Sequence, residues 1–236
     1  LRCAAIAFRI DQLRECHSIG KADTMKEFSD LYTKLHEQCS YYSRHLGHLK
    51  ALIDNDDWVR VVDDSMSGRV LLLGKSEIEN ALVLFNTRIF DTGKDAITVH
   101  KLRSNLPKIE DIETYHLARM KEIGTVNSVD RYFLVRDQFI EAAKKLGKKK
   151  TIEKLRLLRH HILAHNINEK PNLDNATLSE LLELTESVIE LVDLAGFIVT
   201  SSWGIYQNFS RRAEKETRML LAALPALSVA ERELNC

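Results

Sequence analysis

Residues 151–170 read TIEKLRLLRHHILAHNINEK, and the rest of the chain is read outward from them. No Gly or Pro interrupts the run before Pro171, and strong helix formers dominate it, so the stretch is predicted to be helical. At about 100° per residue, Leu155, Leu158 and Ile162, with Leu163 further round, form an apolar stripe. Arg156, Arg159, His160, His161 and His165 crowd the same few turns. Arg159 and His165 stand six positions apart, which sets them about 120° apart around the axis and about 9 Å apart along it. A long guanidinium and an imidazole placed in this way can converge on one phosphate. His161 and His165, four positions apart, share a face.

The segment leading into this helix is basic. From position 144 to 159 eight residues are Lys or Arg, and only Glu153 is acidic. Lys148, Lys149, Lys150, Lys154 and Arg156 are the candidate phosphate contacts. Taken alone, such a run reads as a solvated loop. The whole chain balances 34 Lys and Arg against 34 Asp and Glu, so affinity for nucleic acid must come from a local patch of this kind.

The remaining composition narrows the class. With 236 residues the chain can build a sizeable core. Its four cysteines, Cys3, Cys16, Cys39 and Cys236, make neither a CxxC pair nor zinc-ribbon spacing, and a reduced cytoplasmic protein is expected. No apolar run approaches the roughly 18 residues of a membrane span. No signal peptide is expected in the amphipathic opening segment, which carries Arg9, Asp11 and Arg14. No cofactor is expected. A metal is not expected either. Asp54, Asp56 and Asp57 lack the spacing of a calcium loop, and His161 with His165 lacks a glutamate base and a third ligand.

Only three prolines occur, Pro107, Pro171 and Pro225, and the apolar pattern follows a helical period almost throughout, which predicts an all-α protein. Helices are expected over residues 1–17, from Asp23 to about 53, from Trp58, over 69–90, and from Asp95 or Thr98 to 106. Others are expected over 109–123, 128–146, the central stretch, 177–201 and 203–221. In the second of these Tyr32, Tyr41 and Tyr42 are assigned to the core, and His36, His45 and His48 to a solvated face. Asp91 is read as a helix-end turn former. Thr177 and Glu180 form a capping box. Downstream of that box Leu181, Leu184, Val188, Leu191, Leu194 and Ile198 face the core. Glu180, Glu183, Glu186, Glu190 and Asp193 make an acidic face able to pair with the basic segment, Arg159 included. The expected organisation is an N-terminal helical extension at 1–66, a helical domain at 67–222 and a tail at 223–236.

The sequence Arg159-His160-x-x-x-x-His165 resembles the signature of HEPN domains, an arginine and a polar residue followed by a histidine. The text LRHHILAHN is most similar to the AbiU-type abortive-infection branch of that superfamily. A second stretch at 88–107, RIFDTGKDAITVHKLRSNLP, resembles the same branch, in which a helix ending in Asp precedes a short helix with a Leu-Arg-x-x-Leu core. The resemblance covers about residues 71–197. It implies an HEPN-like antiparallel helical bundle with extra N-terminal helices. It also implies a homodimer with a composite site at its interface, which cuts RNA without metal and leaves a 2′,3′-cyclic phosphate. Carried onto this chain, Arg159 holds the phosphate, His165 is the general acid and base, and His160 is the polar orienting residue. Other members more often have Asn or Asp at the position of His160. His161 matches no family role.

The residue types suit that chemistry. Histidine titrates near neutral pH and can move protons, while arginine stays charged and forks onto two phosphate oxygens. The expected protein is therefore an RNA-cleaving effector of bacterial phage defence or of a toxin–antitoxin pair. A non-catalytic helical interaction module, with an antitoxin or another defence subunit as its partner, is the alternative from a different class.

Overall fold

A computed structural model describes residues 22–54, 66–91, 93, 96–123, 129–147, 150–163 and 176–234. Eight helices and no strand occur among the described residues, as an all-α sequence requires: α1 (Ala22–Ile53), α2 (Met66–Ile89), α3 (Val99–Ser104), α4 (Ile109–Ile123), α5 (Val129–Leu146), α6 (Lys150–Leu163), α7 (Leu178–Thr200) and α8 (Ile205–Leu234). The helices expected over residues 1–17 and from Trp58 lie outside the described residues.

The local signals for these boundaries are visible in the chain. Thr98 caps α3, its hydroxyl accepting from the backbone of Lys101. Gly147 follows α5, with its N–H donating to Ala143 O. Thr177 and Glu180 complete the expected capping box at the head of α7, each side chain accepting from the other's backbone N–H. The last helix is longer than its apolar pattern suggested. It starts at Ile205 and continues past Pro225 to Leu234.

The centre of the bundle is α7. Its first half is amphipathic, with Leu181, Leu184 and Val188 buried and Glu183, Glu186 and Glu190 exposed. From Leu191 to Val199 every side chain is buried. A helix that is apolar all round must be enclosed on all sides. Accordingly α7 packs on α1, α2, α5, α6 and α8. The expected stripe of Leu181, Leu184, Val188, Leu191, Leu194 and Ile198 is fully core. Tyr132, Val135, Phe139 and Ala143 of α5 join it. At the amino-terminal half of α2 apolar side chains reach the surface, and Leu72 is 42% exposed.

Contacts fix the helix directions. Tyr32 of α1 lies against Gly196 and Lys50 pairs with Glu186, so α1 and α7 are antiparallel. Tyr42 stacks on Phe85, and Leu52 belongs to a cluster with Leu71 and Ile78 alongside it, which makes α1 and α2 antiparallel. In α8 the order is reversed. His36 meets Tyr206 and His48 meets Thr217, so α8 runs parallel to α1.

That parallel interface carries the polar groups that the sequence assigned to solvent. His36 Nδ1 lies 2.8 Å from Tyr206 Oη and 3.3 Å from Tyr32 Oη, and His48 Nδ1 lies 2.6 Å from Thr217 Oγ1. Burial holds the pKa values of His36, His45 and His48 below the usual 6.5. Hydrogen bonding explains the correction: partner hydroxyls across the interface satisfy rings that otherwise need water. Of the three tyrosines assigned to the core, Tyr32 is buried and Tyr42 is half-buried on Phe85, while Tyr41 is 57% exposed.

Asp193 also departs from expectation. It is buried rather than part of the acidic face, and its Oδ2 accepts from Gly204 N at 3.0 Å, at the head of α8. Desolvation raises its pKa from 3.8 to about 6, against the lowering effect of backbone N–H donors from Gly204 and Ile205. A folded-state pKa above the unfolded one means that Asp193's contribution to stability is complete below about pH 3.8 and is lost as pH rises through about 6. Replacing it with Asn, which keeps an acceptor for Gly204, should therefore raise the thermal midpoint relative to wild type increasingly between pH 4 and 7. Melting curves at several pH values that shift in parallel would contradict this.

Gly47 makes the close approach of α1 to α8 possible. A Cβ there would run into the backbone carbonyl of Ser210 and lie 2.8 Å from its carbon. Gly47→Ala should cost on the order of 1–3 kcal/mol in urea denaturation, as overpacking against immovable backbone does. Gly74→Ala, where nothing lies within 4 Å, should instead gain about 0.5–1 kcal/mol from helix propensity.

Candidate functional site

The central stretch forms α6 as far as Leu163, its remainder lying outside the described residues, and the described residues divide by direction. Ile152 and Leu155 are buried in the core, and Leu158 packs against it. Lys150, Glu153 and Leu157 are exposed. Three cations face neighbouring helices. Lys154 Nζ donates to Glu180 Oε1 at 3.0 Å, tying α6 to the capping box of α7. Glu180 is pulled below the usual carboxylate range, first by the Thr177 backbone N–H and then by Lys154.

The other two cations meet the carboxyl-terminal end of α2. Arg156 Nη2 donates to the carbonyl of Phe90 at 2.8 Å, and its Nη1 donates to Glu153 at 2.8 Å. Arg159 Nη1 lies 3.5 Å from Asp91 Oδ2, with the two side chains 29% and 42% exposed. Arg156 and Arg159 are three positions apart and so share a face. The last carbonyls of a helix lack intrahelical partners and carry partial negative charge, so a pair of guanidiniums is well matched to them.

The expected site residues thus fall into three groups. Arg159 is half-buried at the end of α2, and its partner is Asp91 rather than the acidic face of α7. Lys154 and Arg156 each reach a protein partner, and Lys150 is exposed on the surface of α6. His160 lies on α6, but its side chain is outside the described residues, and so are Lys148, Lys149 and His165. No group of three His, Cys, Asp or Glu side chains suited to a metal ion occurs among the described residues. None of the described helices is long and apolar enough to cross a membrane.

Asp91 is the site residue that the sequence understated. It was read as a turn former, and its N–H does close a turn on Arg88 O at 3.0 Å. Its carboxylate, however, is an ion-pair partner of the signature arginine. The available signal was the order of the two stretches at 88–107 and 151–170. An acidic group at the negative end of a helix also calls for a nearby cation.

The profile of the HEPN-type AbiU2 family matches residues 25–217 of the chain. The match runs from the first turn of α1 into the first half of α8 and includes both stretches. The chain belongs to this family, which places it among HEPN-type proteins of abortive infection, a form of phage defence. No significant match was found among curated proteins or among solved structures.

Both side chains are partly exposed, but Arg156 anchors α6 to α2 by a charged donor on a backbone carbonyl, whereas Lys154 makes an ion pair with another side chain. Arg156→Ala should therefore cost about 1.5–3 kcal/mol of stability, and Lys154→Ala less than about 1 kcal/mol. Chemical denaturation of the two variants side by side checks the order.

Proposed function

We propose that this protein is a metal-independent endoribonuclease of phage defence or of a toxin–antitoxin pair, acting on RNA in the cytoplasm. The observation that supports it best is the placement of Arg159. Among the described residues, this residue of the HEPN signature meets Asp91 at the end of α2, its Nη1 3.5 Å from Oδ2, with its side chain still 29% exposed. Of a guanidinium's five N–H donors, most remain for an anion.

In the reaction Arg159 holds the scissile phosphate and stabilises charge on the phosphorane-like transition state. His165 removes the proton from the ribose 2′-hydroxyl, which attacks phosphorus. A histidine then protonates the departing 5′-oxygen, leaving a 2′,3′-cyclic phosphate. One helix carries one such set. A homodimer that pairs two copies of α6 about a two-fold axis supplies a second imidazole, so that one can act as base and the other as acid. His160 orients the substrate or its neighbour. Lys150, at the start of α6, and Lys148 and Lys149, which precede it in the sequence, extend the track for the RNA backbone, with Lys154 and Arg156 further along the helix. An antitoxin that masks this surface would keep the protein silent until infection.

His165→Ala should reduce RNA cleavage by the 10²–10⁴-fold typical of losing a general acid or base. It should abolish toxicity in cells while leaving the helical spectrum and the sedimentation of the dimer unchanged. Wild-type cleavage should persist in EDTA. Cleavage by the variant at the wild-type rate would remove His165 from the mechanism. Absence of RNA binding by the wild-type protein at low salt would favour a non-catalytic interaction module instead.

A further inference from the structure

A phosphate-holding arginine works only if its head group is in the right place. The Arg159 side chain is long and flexible, and fixing it costs on the order of 2 kcal/mol of rotamer entropy. Its own helix cannot do this. The partner is supplied by the chain just beyond α2. There Asp91 is set by its N–H on Arg88 O, and the adjoining Phe90 carbonyl is gripped by Arg156. The backbone that carries the carboxylate is thus tied to α6, and the carboxylate points back at the same helix one turn along. A carboxylate at the negative end of a helix is unfavourable unless a cation answers it, so Asp91 and Arg159 stabilise each other's location.

We propose that Asp91 is a positioning residue: its carboxylate, fixed at the end of α2, aims the Arg159 guanidinium and leaves its remaining donors turned to the scissile phosphate. The proposal rests on the ribonuclease reading above. It differs from a merely structural ion pair in what it predicts. A half-exposed pair contributes little to stability, whereas misplacing a catalytic group by about 1 Å can cost 10²-fold in rate.

The test compares wild type with Asp91→Asn and Asp91→Glu in two measurements. The first is cleavage of an RNA oligonucleotide. Asp91→Asn should lower kcat by about 10–100-fold while KM stays within about 3-fold. Asp91→Glu should restore most of kcat, and the melting temperature should hardly move in either. Unchanged kcat in folded Asp91→Asn overturns the proposal. A loss of rate that Glu does not rescue and that tracks a fall in melting temperature also overturns it, because the residue is then structural.

The second measurement needs no activity. It is NMR of the arginine side chains, with the Arg159 signal assigned by Arg159→Lys. Rotation of the Arg159 guanidinium should be slowed in wild type and freed in Asp91→Asn. If the wild-type protein cleaves no RNA but this change is seen, the ribonuclease reading falls and the aiming of Arg159 by Asp91 stands. If rotation is the same in both proteins, the proposal falls even when wild type is active.

Discussion

The enclosure of α7 is the constraint on which the rest of this fold depends. Nine consecutive residues, from Leu191 to Val199, are buried, and within this segment only Asp193 is charged. A segment of that kind is stable only if apolar surface covers it from every direction, at about 25 cal/mol for each Å² removed from water. One partner helix cannot do this. Five do, and each is placed by the contact it makes: α1 antiparallel along one side, α5 beside the carboxyl-terminal half, α2 and α6 towards the amino-terminal half, and α8 folding back after the turn at 201–204. The turn itself reflects the crowding. Ser201 adopts a left-handed conformation and Gly204 has a positive φ, and Asp193 reaches out of the core to meet the Gly204 N–H.

The position of α6 follows from the same constraint, by a different kind of force. It shares less apolar surface with the core, through Ile152, Leu155 and Leu158, and it is pinned at its flanks by charge. Lys154 holds the head of α7, while Arg156 and Arg159 hold the tail of α2. Both anchors exploit helix ends, where backbone groups or capping side chains offer acceptors. The helix that bears the signature arginine is therefore located by the termini of two others. Its cations pair with protein groups and remain partly exposed.

The family match spans α1 as well as the later helices, and α1 is packed on five others, so the protein's amino-terminal described helix takes part in the same core as the signature helix. Burial of His36 and His48 between α1 and α8 makes that interface sensitive to acid. Their folded-state pKa values lie below the usual 6.5, so the stability they contribute is complete above that value and is lost as pH falls through the lower ones. Asp193 acts in the opposite sense nearby. The two effects draw on one physical cause, the cost of moving a charge out of water.

Local chemistry alone determined a good deal here. Helical periodicity with few breakers specified an all-α chain. Thr177 and Glu180 announced the head of α7, and the Leu and Val stripe after them announced its core face. The residues from Arg159 to His165 pointed to the family. These features depend on spacing along one helix, and spacing is written in the order of residues. Partners across helices are not written there. Nothing in the order of residues says that His36 would find Tyr206, that Asp193 would leave the acidic face to meet α8, or that Arg159 would choose Asp91 over the glutamates of α7. Only packing around the central helix brings those groups into contact, because a polar contact depends on which elements the hydrophobic core forces together.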